Sequence, residues 1–183
     1  MLAPKPTEAF LEIGPGAGAL TLPLSRSARC VVAVELDRRL AQSLRARAPE
    51  NVEIVEGDAL DVDLAALLPE GGRVVGNLPY AISSPLLRRM LELRGRTPDL
   101  HVMVQEEVAR RIASPPASKE YGILSVFFGL WADVDIPLRF PPGAFKPPPA
   151  VRSALLRVRF RPKPLAEVAD PAAFEQLVKT AVT

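Results

Sequence analysis

One cysteine, Cys30, and one histidine, His101, are all that this chain of 183 residues contains of either type. That scarcity excludes a disulfide framework and leaves no basis for a cysteine/histidine metal site or a Ser-His-Asp triad. No apolar run approaches the ~20 residues needed to span a bilayer, and Met1–Pro6 lacks the layout of a signal peptide, so no membrane association and a cytoplasmic location are expected. Also missing is any large excess of one charge, the formal net charge being +2. Acidic residues are nonetheless absent from one tract, Arg139 to Lys163, which holds Arg139, Lys146, Arg152, Arg157, Arg159, Arg161 and Lys163. A basic stretch of this kind suits a polyanionic partner; the plainer alternative is a solvated edge strand whose charges deter aggregation.

What is present reads as a globular α/β chain. With 48% hydrophobic and 24% charged residues, the composition is that of an ordinary soluble domain, long enough for one core and the start of a second unit. Short β-rich runs at Ala9–Ile13, Cys30–Val34, Val52–Val55, Arg73–Val75, Leu100–Val104, Ala132–Leu138 and Ala154–Phe160 predict strands. Helical patterns at Ala19–Ser25, Arg38–Arg47, Leu64–Leu68, Pro85–Leu93 and Glu106–Ala113 fall between the first six. Alternation of this kind predicts a mostly parallel sheet covered by helices. A loop rather than a clear helix joins the last two strands, which predicts an antiparallel pair at one end. Ser84-Pro85 and Asp170-Pro171 both look like helix starts, a capping side chain followed by proline. In the final strand Leu156, Val158 and Phe160 alternate with Arg157, Arg159 and Arg161, so one face should be buried and the other basic.

The chemistry begins at Glu12-Ile13-Gly14-Pro15-Gly16-Ala17-Gly18, where a strand runs into a glycine-rich turn before a helix. Such a turn lets the backbone approach a nucleotide-like cofactor, and Gly14, Gly16 and Ala19 also fit a dinucleotide fingerprint. Glu35, 21 residues after Gly14 and followed by Leu36, can accept from both hydroxyls of a ribose in either cofactor class. Asp58 follows the third strand, placed to accept from an adenine amino group while the Ala59 main chain donates to a ring nitrogen; a simple turn aspartate is the alternative.

Asn77-Leu78-Pro79-Tyr80, after the fourth strand, separates the cofactor classes. An aromatic amine is a poor nucleophile because its lone pair is delocalised into the ring. The Asn77 side-chain oxygen and the Leu78 carbonyl can accept its two hydrogens, favouring a pyramidal nitrogen aimed at an activated methyl. Pro79 fixes the backbone and Tyr80 offers a face for an unstacked base. Positioning and electrostatics then suffice without a strong base. A proline-containing turn with a buried tyrosine is the competing account.

These motifs resemble, in order and spacing, ribosomal RNA adenine dimethyltransferases of the KsgA/RsmA type. So do Gln105–Arg111, Tyr121–Val126 and Pro142–Ser153. The resemblance implies a Rossmann-like class I methyltransferase fold, a mostly parallel seven-stranded sheet with an antiparallel terminal pair. It implies S-adenosylmethionine as cofactor, held by Glu12, Gly14, Gly16, Gly18, Glu35, Leu36, Asp58, Ala59 and Asn77. Asn77, Leu78, Pro79 and Tyr80 would hold the target adenine, with Phe145 packing on it from another side. The implied substrate is two adjacent adenosines near the 3′ end of small-subunit ribosomal RNA, in the immature subunit, with Arg152, Arg157, Arg159 and Arg161 as RNA contacts and the protein a monomer. Residues 1–165 would form the catalytic domain and 166–183 the start of a helical domain. Two departures lead us to expect a chain truncated at both ends: Met1–Glu8 lacks the family's Gln-Asn-Phe-Leu-like segment, and the chain stops at Ala181-Val182-Thr183. The alternatives are an antibiotic-resistance type of rRNA methyltransferase, a DNA adenine methyltransferase, a non-catalytic RNA-binding or assembly fragment, and a nicotinamide-dependent oxidoreductase. Cys30, His101 and Trp131 are expected to be structural, and Arg88-Arg89 and Arg110-Arg111 solvated helix faces.

Overall fold

The computed structural model of the chain describes residues 3–181. Its strands are β1 (Ala9–Ile13), β2 (Cys30–Glu35), β3 (Val52–Glu56), β4 (Arg73–Asn77), β5 (Asp99–Gln105), β6 (Ala132–Phe140) and β7 (Ser153–Phe160). They form one sheet in the order β3-β2-β1-β4-β5-β7-β6, parallel from β1 through β5, with β6 and β7 antiparallel to each other. This is the expected α/β class. Contacts group the chain into two compact units, one through Met103 and one from Val104. Among the described residues no helix is long and apolar enough to cross a membrane.

In the first unit the central strands are near-continuous apolar runs, as strands covered on both faces must be. Every residue of β1 is buried, as is all of β2 beyond the half-buried Cys30. The helices are α1 (Thr21–Ser25), α2 (Arg38–Arg45), α3 (Leu64–Leu67) and α4 (Ser83–Glu92). Aspartate caps start two of them. Asp37 accepts from the Arg39 and Leu40 amides at 2.8 and 3.0 Å, and Asp63 from those of Ala65 and Ala66 at 3.0 Å. Ser84 is not the cap the sequence suggested. A 3-10 turn over Tyr80–Ile82 leads straight into α4, and the Ser83 hydroxyl donates to the Tyr80 carbonyl at 3.2 Å instead. Nor does α1 begin at Ala19: the glycine turn, with positive φ at Gly18, runs up to it, and the helix spans Thr21–Ser25.

At the amino ends of β4 and β5, Arg73 donates to both Asp99 oxygens at 2.8 Å and to Glu8 Oε1 at 3.3 Å. His101 Nε2 lies 3.1 Å from the same guanidinium, and Arg73 also sits 5.8 Å above the Phe10 ring. The lone histidine is thus structural, within a charge cluster that satisfies most of its polar atoms; Nδ1 alone is left unpaired.

The second unit contains α5 (Glu106–Ala113), α6 (Ile123–Trp131), β6, β7 and α7 (Pro171–Ala181). Glutamates open α5 and arginines close it, complementing its dipole. Helix α6 was not foreseen, since Ile-Leu-Ser-Val-Phe-Phe-Gly-Leu-Trp is apolar nearly all round and shows no helical stripe. Strand β6 pairs with β7 but shifts register between Asp135 and Leu138, where Pro137 cannot donate to the ladder. The expected alternation in β7 holds at Leu156 and Val158, both without exposed surface, and weakens at the half-buried Phe160. Asp170 caps α7 as expected, accepting from Ala172 and Ala173. Met1, Leu2, Val182 and Thr183, which end the expected domains, lie outside the described residues.

Candidate active site

Strands β2 and β4 run one or two residues beyond their expected ends, so Glu35 and Asn77 are the last residues of their strands. The strand order reverses at β1, with β2 on one side and β4 on the other. Ligands of open α/β sheets bind at such a point, outside the carboxyl ends of the strands. A cleft of about 60 Å³ lies there, lined by Gly14, Glu35, Leu36, Asp58, Ala59 and Pro79, among others. A larger hollow of about 400 Å³ occurs in the second unit, among Ile112, Tyr121, Val126, Leu130 and Phe174. It is mostly apolar and brings no charged side chains together, so the strand-end cleft is the better candidate.

The glycine turn is built from both sides. Gly14, Gly16 and Gly18 all have positive φ. A Cβ on Gly18 would come within 2.5 Å of Leu44 Cδ1, so a larger residue would have to displace that buried side chain; one on Gly16 would meet nothing within 4 Å, leaving that stretch of backbone open. The Glu35 carboxylate accepts from the Gly16 amide with one oxygen and from the Asp37 amide with the other, both at 2.9 Å. Glu35 therefore shapes the turn, and each oxygen keeps a lone pair that a ribose hydroxyl can use. Leu36, 64% exposed, stands beside it as apolar surface.

Asp58 closes an Asx turn, its Oδ1 accepting from the Leu60 amide at 2.8 Å. The Gly14 and Asn77 main chains are neighbours: a Cβ on Gly14 would stand 3.5 Å from the Asn77 carbonyl oxygen. The Asn-Leu-Pro-Tyr turn thus meets the glycine turn, and Pro79 and Ile82 share the cleft with Asp58. Leu78 is buried and donates its amide to the Met103 carbonyl at 3.0 Å, which pins the turn to the end of β5. Asn77 is exposed and Tyr80 half-buried.

Glu12 does not line the cleft. It is 1% exposed within β1, and neither its Oε2 nor the Thr21 hydroxyl makes a hydrogen bond. Burial pushes its carboxyl up to about 7; proximity to the Thr21 hydroxyl favours the charged form and opposes this, while repulsion from Glu35 adds to it.

The remaining expected residues belong to the second unit. The Phe145 ring packs edge-on against Phe140, centroids 6.1 Å apart. Glu106 is shared by Arg152 at 2.9 Å and Arg139 at 3.4 Å. Asp135 pairs with Arg157 at 2.7 Å and more loosely with Arg159 at 3.9 Å, and Asp133 pairs with Arg161 at 2.6 Å. The tract without acids is therefore partly neutralised by acids of β6 and α5. Sequence reasoning also overlooked Ile82 and Leu86 in the cleft and a structural task for Arg89: its guanidinium donates to the Ala59 and Val62 carbonyls at 3.1 and 2.9 Å, so it is not a solvated face. No local sequence signal marks that pairing across 30 residues.

A family model described as ribosomal RNA adenine dimethylase matches residues 1–183. The chain is 43% identical over 183 residues to ribosomal RNA small subunit methyltransferase A of Xylella fastidiosa, covering 97% of this chain and 69% of that protein. Among solved structures it resembles a dimethyladenosine transferase from Plasmodium falciparum, with a TM-score of 0.78, 28% identity, and coverage of 86% of this chain and 57% of that one. The 23S rRNA methyltransferase ErmE superimposes with a TM-score of 0.77 at 32% identity, covering 96% of this chain and 70% of that one. The chain thus spans little more than half of the Plasmodium protein and about two thirds of the other two.

Proposed function

Because the chain belongs to the ribosomal RNA adenine dimethylase family, we propose that it transfers methyl groups from S-adenosylmethionine to the amino nitrogens of two adjacent adenosines near the 3′ end of small-subunit ribosomal RNA. The single observation that carries this reading is the meeting of the Asn77 main chain with Gly14 at the carboxyl edge of the sheet. A turn able to present a nucleobase amine lies against a turn able to hold a nucleotide. The 43–46% identity to small-subunit enzymes, against 32% to ErmE, favours the small-subunit substrate over the 23S one. Membership of this family also leaves the oxidoreductase alternative without support.

The residues fit the cofactor. Glu35 receives the ribose hydroxyls on lone pairs left over from the Gly16 and Asp37 amides. Asp58 Oδ2 accepts from the adenine amine while Oδ1 stays with Leu60, and the Ala59 amide donates to a ring nitrogen. The exposed Leu36 covers the base, the Gly14–Gly18 backbone takes the methionine end, and Glu12 supports that turn from beneath. When bound, the cofactor supplies an electrophilic sulfonium methyl. Asn77 and the Leu78 carbonyl accept the two amino hydrogens of the target adenine, drawing its lone pair out of the ring. Pro79 holds the two acceptors in register, and Tyr80 contacts the base. Nothing here acts as a strong base, and the proton released on methylation passes to solvent.

The protein acts as a monomer in the cytoplasm on the immature small subunit. Residues 1–165 serve as the catalytic domain and 166–183 as the start of a helical one. Arg152 and Arg159 are the more exposed of the four candidate RNA contacts, and Arg157 and Arg161 are held by acids. Incubation with unmethylated small subunits and radiolabelled cofactor, followed by nucleoside analysis, is expected to give N6,N6-dimethyladenosine. Cofactor and RNA binding with no methyl transfer would support the binding or assembly reading instead.

A further inference from the structure

Arg89 lies on α4, three turns of chain beyond the Asn-Leu-Pro-Tyr turn, yet both of its terminal nitrogens are used on the loop after β3. One donates to the Ala59 carbonyl and the other to the Val62 carbonyl. Between these points the loop is a tight turn, with the Asp58 carbonyl accepting from both Asp61 and Val62 at 2.9 Å. The peptide joining Ala59 to Leu60 is trans, so its carbonyl and amide point in opposite directions. Arg89 holds that carbonyl, and Asp58 Oδ1 holds that amide. A charged, planar fork thereby fixes the plane of one peptide, and that peptide fixes which way the Asp58 carboxylate faces. Leu86, one turn earlier on α4 and fully buried, lines the same cleft as Asp58 and Ala59. Helix α4 thus starts from the proposed target-base turn and braces the proposed adenine loop.

We propose that Arg89 is a positioning residue that sets the preference of this site for a 6-aminopurine cofactor, by orienting Asp58 through the Ala59–Leu60 peptide. The proposal rests on the cofactor reading above. An aspartate oxygen accepts from an amino group and repels the oxo group of a hypoxanthine ring, so discrimination depends on its direction. Arg89 touches no reacting atom; it acts through the loop.

The test is calorimetric binding of S-adenosylhomocysteine and S-inosylhomocysteine to the wild-type chain, Arg89→Ala and Arg89→Lys, with a thermal melt of each protein. Wild type should favour the adenosyl ligand by about tenfold or more, the scale of one good hydrogen bond to a charged group. Arg89→Ala should lose about tenfold in affinity for the adenosyl ligand, with the inosyl ligand nearly unaffected, so that the preference collapses. Lysine, reaching one carbonyl at a time, should restore part of it. Equal weakening of both ligands, or an unchanged preference, would overturn the proposal and leave Arg89 a merely structural brace. Should Arg89→Ala fail to fold, the Lys variant decides: a preference equal to wild type counts against the proposal, a reduced one for it. A wild-type chain that binds neither ligand would instead sink the cofactor reading, and this inference with it.

Discussion

Arg157 and Asp135 face each other across β6 and β7 and form a two-pronged ion pair, Nε to Oδ1 at 2.9 Å and Nη2 to Oδ2 at 2.7 Å. The Arg157 side chain is 26% exposed, whereas that of Arg159 is 55% exposed, its guanidinium 3.9 Å from the same aspartate. The two arginines should therefore behave differently towards RNA. Arg159→Ala is expected to lower the slope of log affinity against log salt by about 0.7–0.9, one phosphate contact. Arg157→Ala should leave the slope nearly unchanged and lower the melting temperature, at a cost of about 1 kcal/mol. Filter binding across a salt series and a thermal melt check both; equal slope changes for the two variants would contradict the distinction.

Asn77 is exposed at the strand end, and the carboxylate that holds the Gly16 amide is that of Glu35. Substitution of Asn77 by Ala should reduce methyl transfer by about a hundredfold or more, the scale for removing one acceptor or donor acting on the reacting group. Affinity for S-adenosylhomocysteine should stay within about twofold, because a group acting on the target base adds little to cofactor binding. Single-turnover kinetics and calorimetry separate the two. A parallel loss of rate and cofactor affinity would place Asn77 in the cofactor site alone.

Glu35 carries the opposite expectation. It supports Gly16 and Asp37 as well as the proposed ribose contact, so Glu35→Ala should weaken cofactor binding by about a hundredfold and also lower the melting temperature, given two or three hydrogen bonds to a charged group. Unaltered affinity would refute the placement.

Glu12 makes a prediction in pH. Its carboxyl has a pKa of about 7 in the folded chain against the usual 4.5. Between those values the folded state holds a proton that the unfolded chain releases, so stability falls as pH rises through this window. The full penalty, about 3 kcal/mol at most, is present above pH 7. Glu12→Gln should therefore be the more stable protein near pH 8, with the advantage vanishing as pH falls towards 4.5. Melting curves across that range decide it, and parallel profiles for the two proteins would show that Glu12 is not the titrating group.

The sequence disclosed those parts of the molecule in which a residue's meaning is local. The glycine turn, the aspartate cap at Asp170 and the alternation of β7 depend on neighbours a few positions away; the first two are found where expected, and the third holds at Leu156 and Val158. Glu12, Glu35 and Asp58 could be named as polar groups near a cofactor. Nothing local shows that Glu35 holds Gly16 or that one oxygen of Glu12 is buried without a hydrogen bond, because both facts come from how the strands are packed. The basic tract misled for the same reason: its charges are answered from β6 and α5, outside the window in which they were counted. Helix α6 escaped notice because buried apolar helices lack the polar stripe by which helices are recognised.

The Arg73 cluster carries a consequence for how this protein can change over generations. Glu8, Arg73, Asp99 and His101 share a setting with little water, where removing one partner strands the charge of another at a cost of about 3–5 kcal/mol, while replacing the whole set with oily residues of similar size can be nearly neutral. Drift at these four positions is therefore expected to proceed as a package, the lineage either keeping the quartet or exchanging it wholesale.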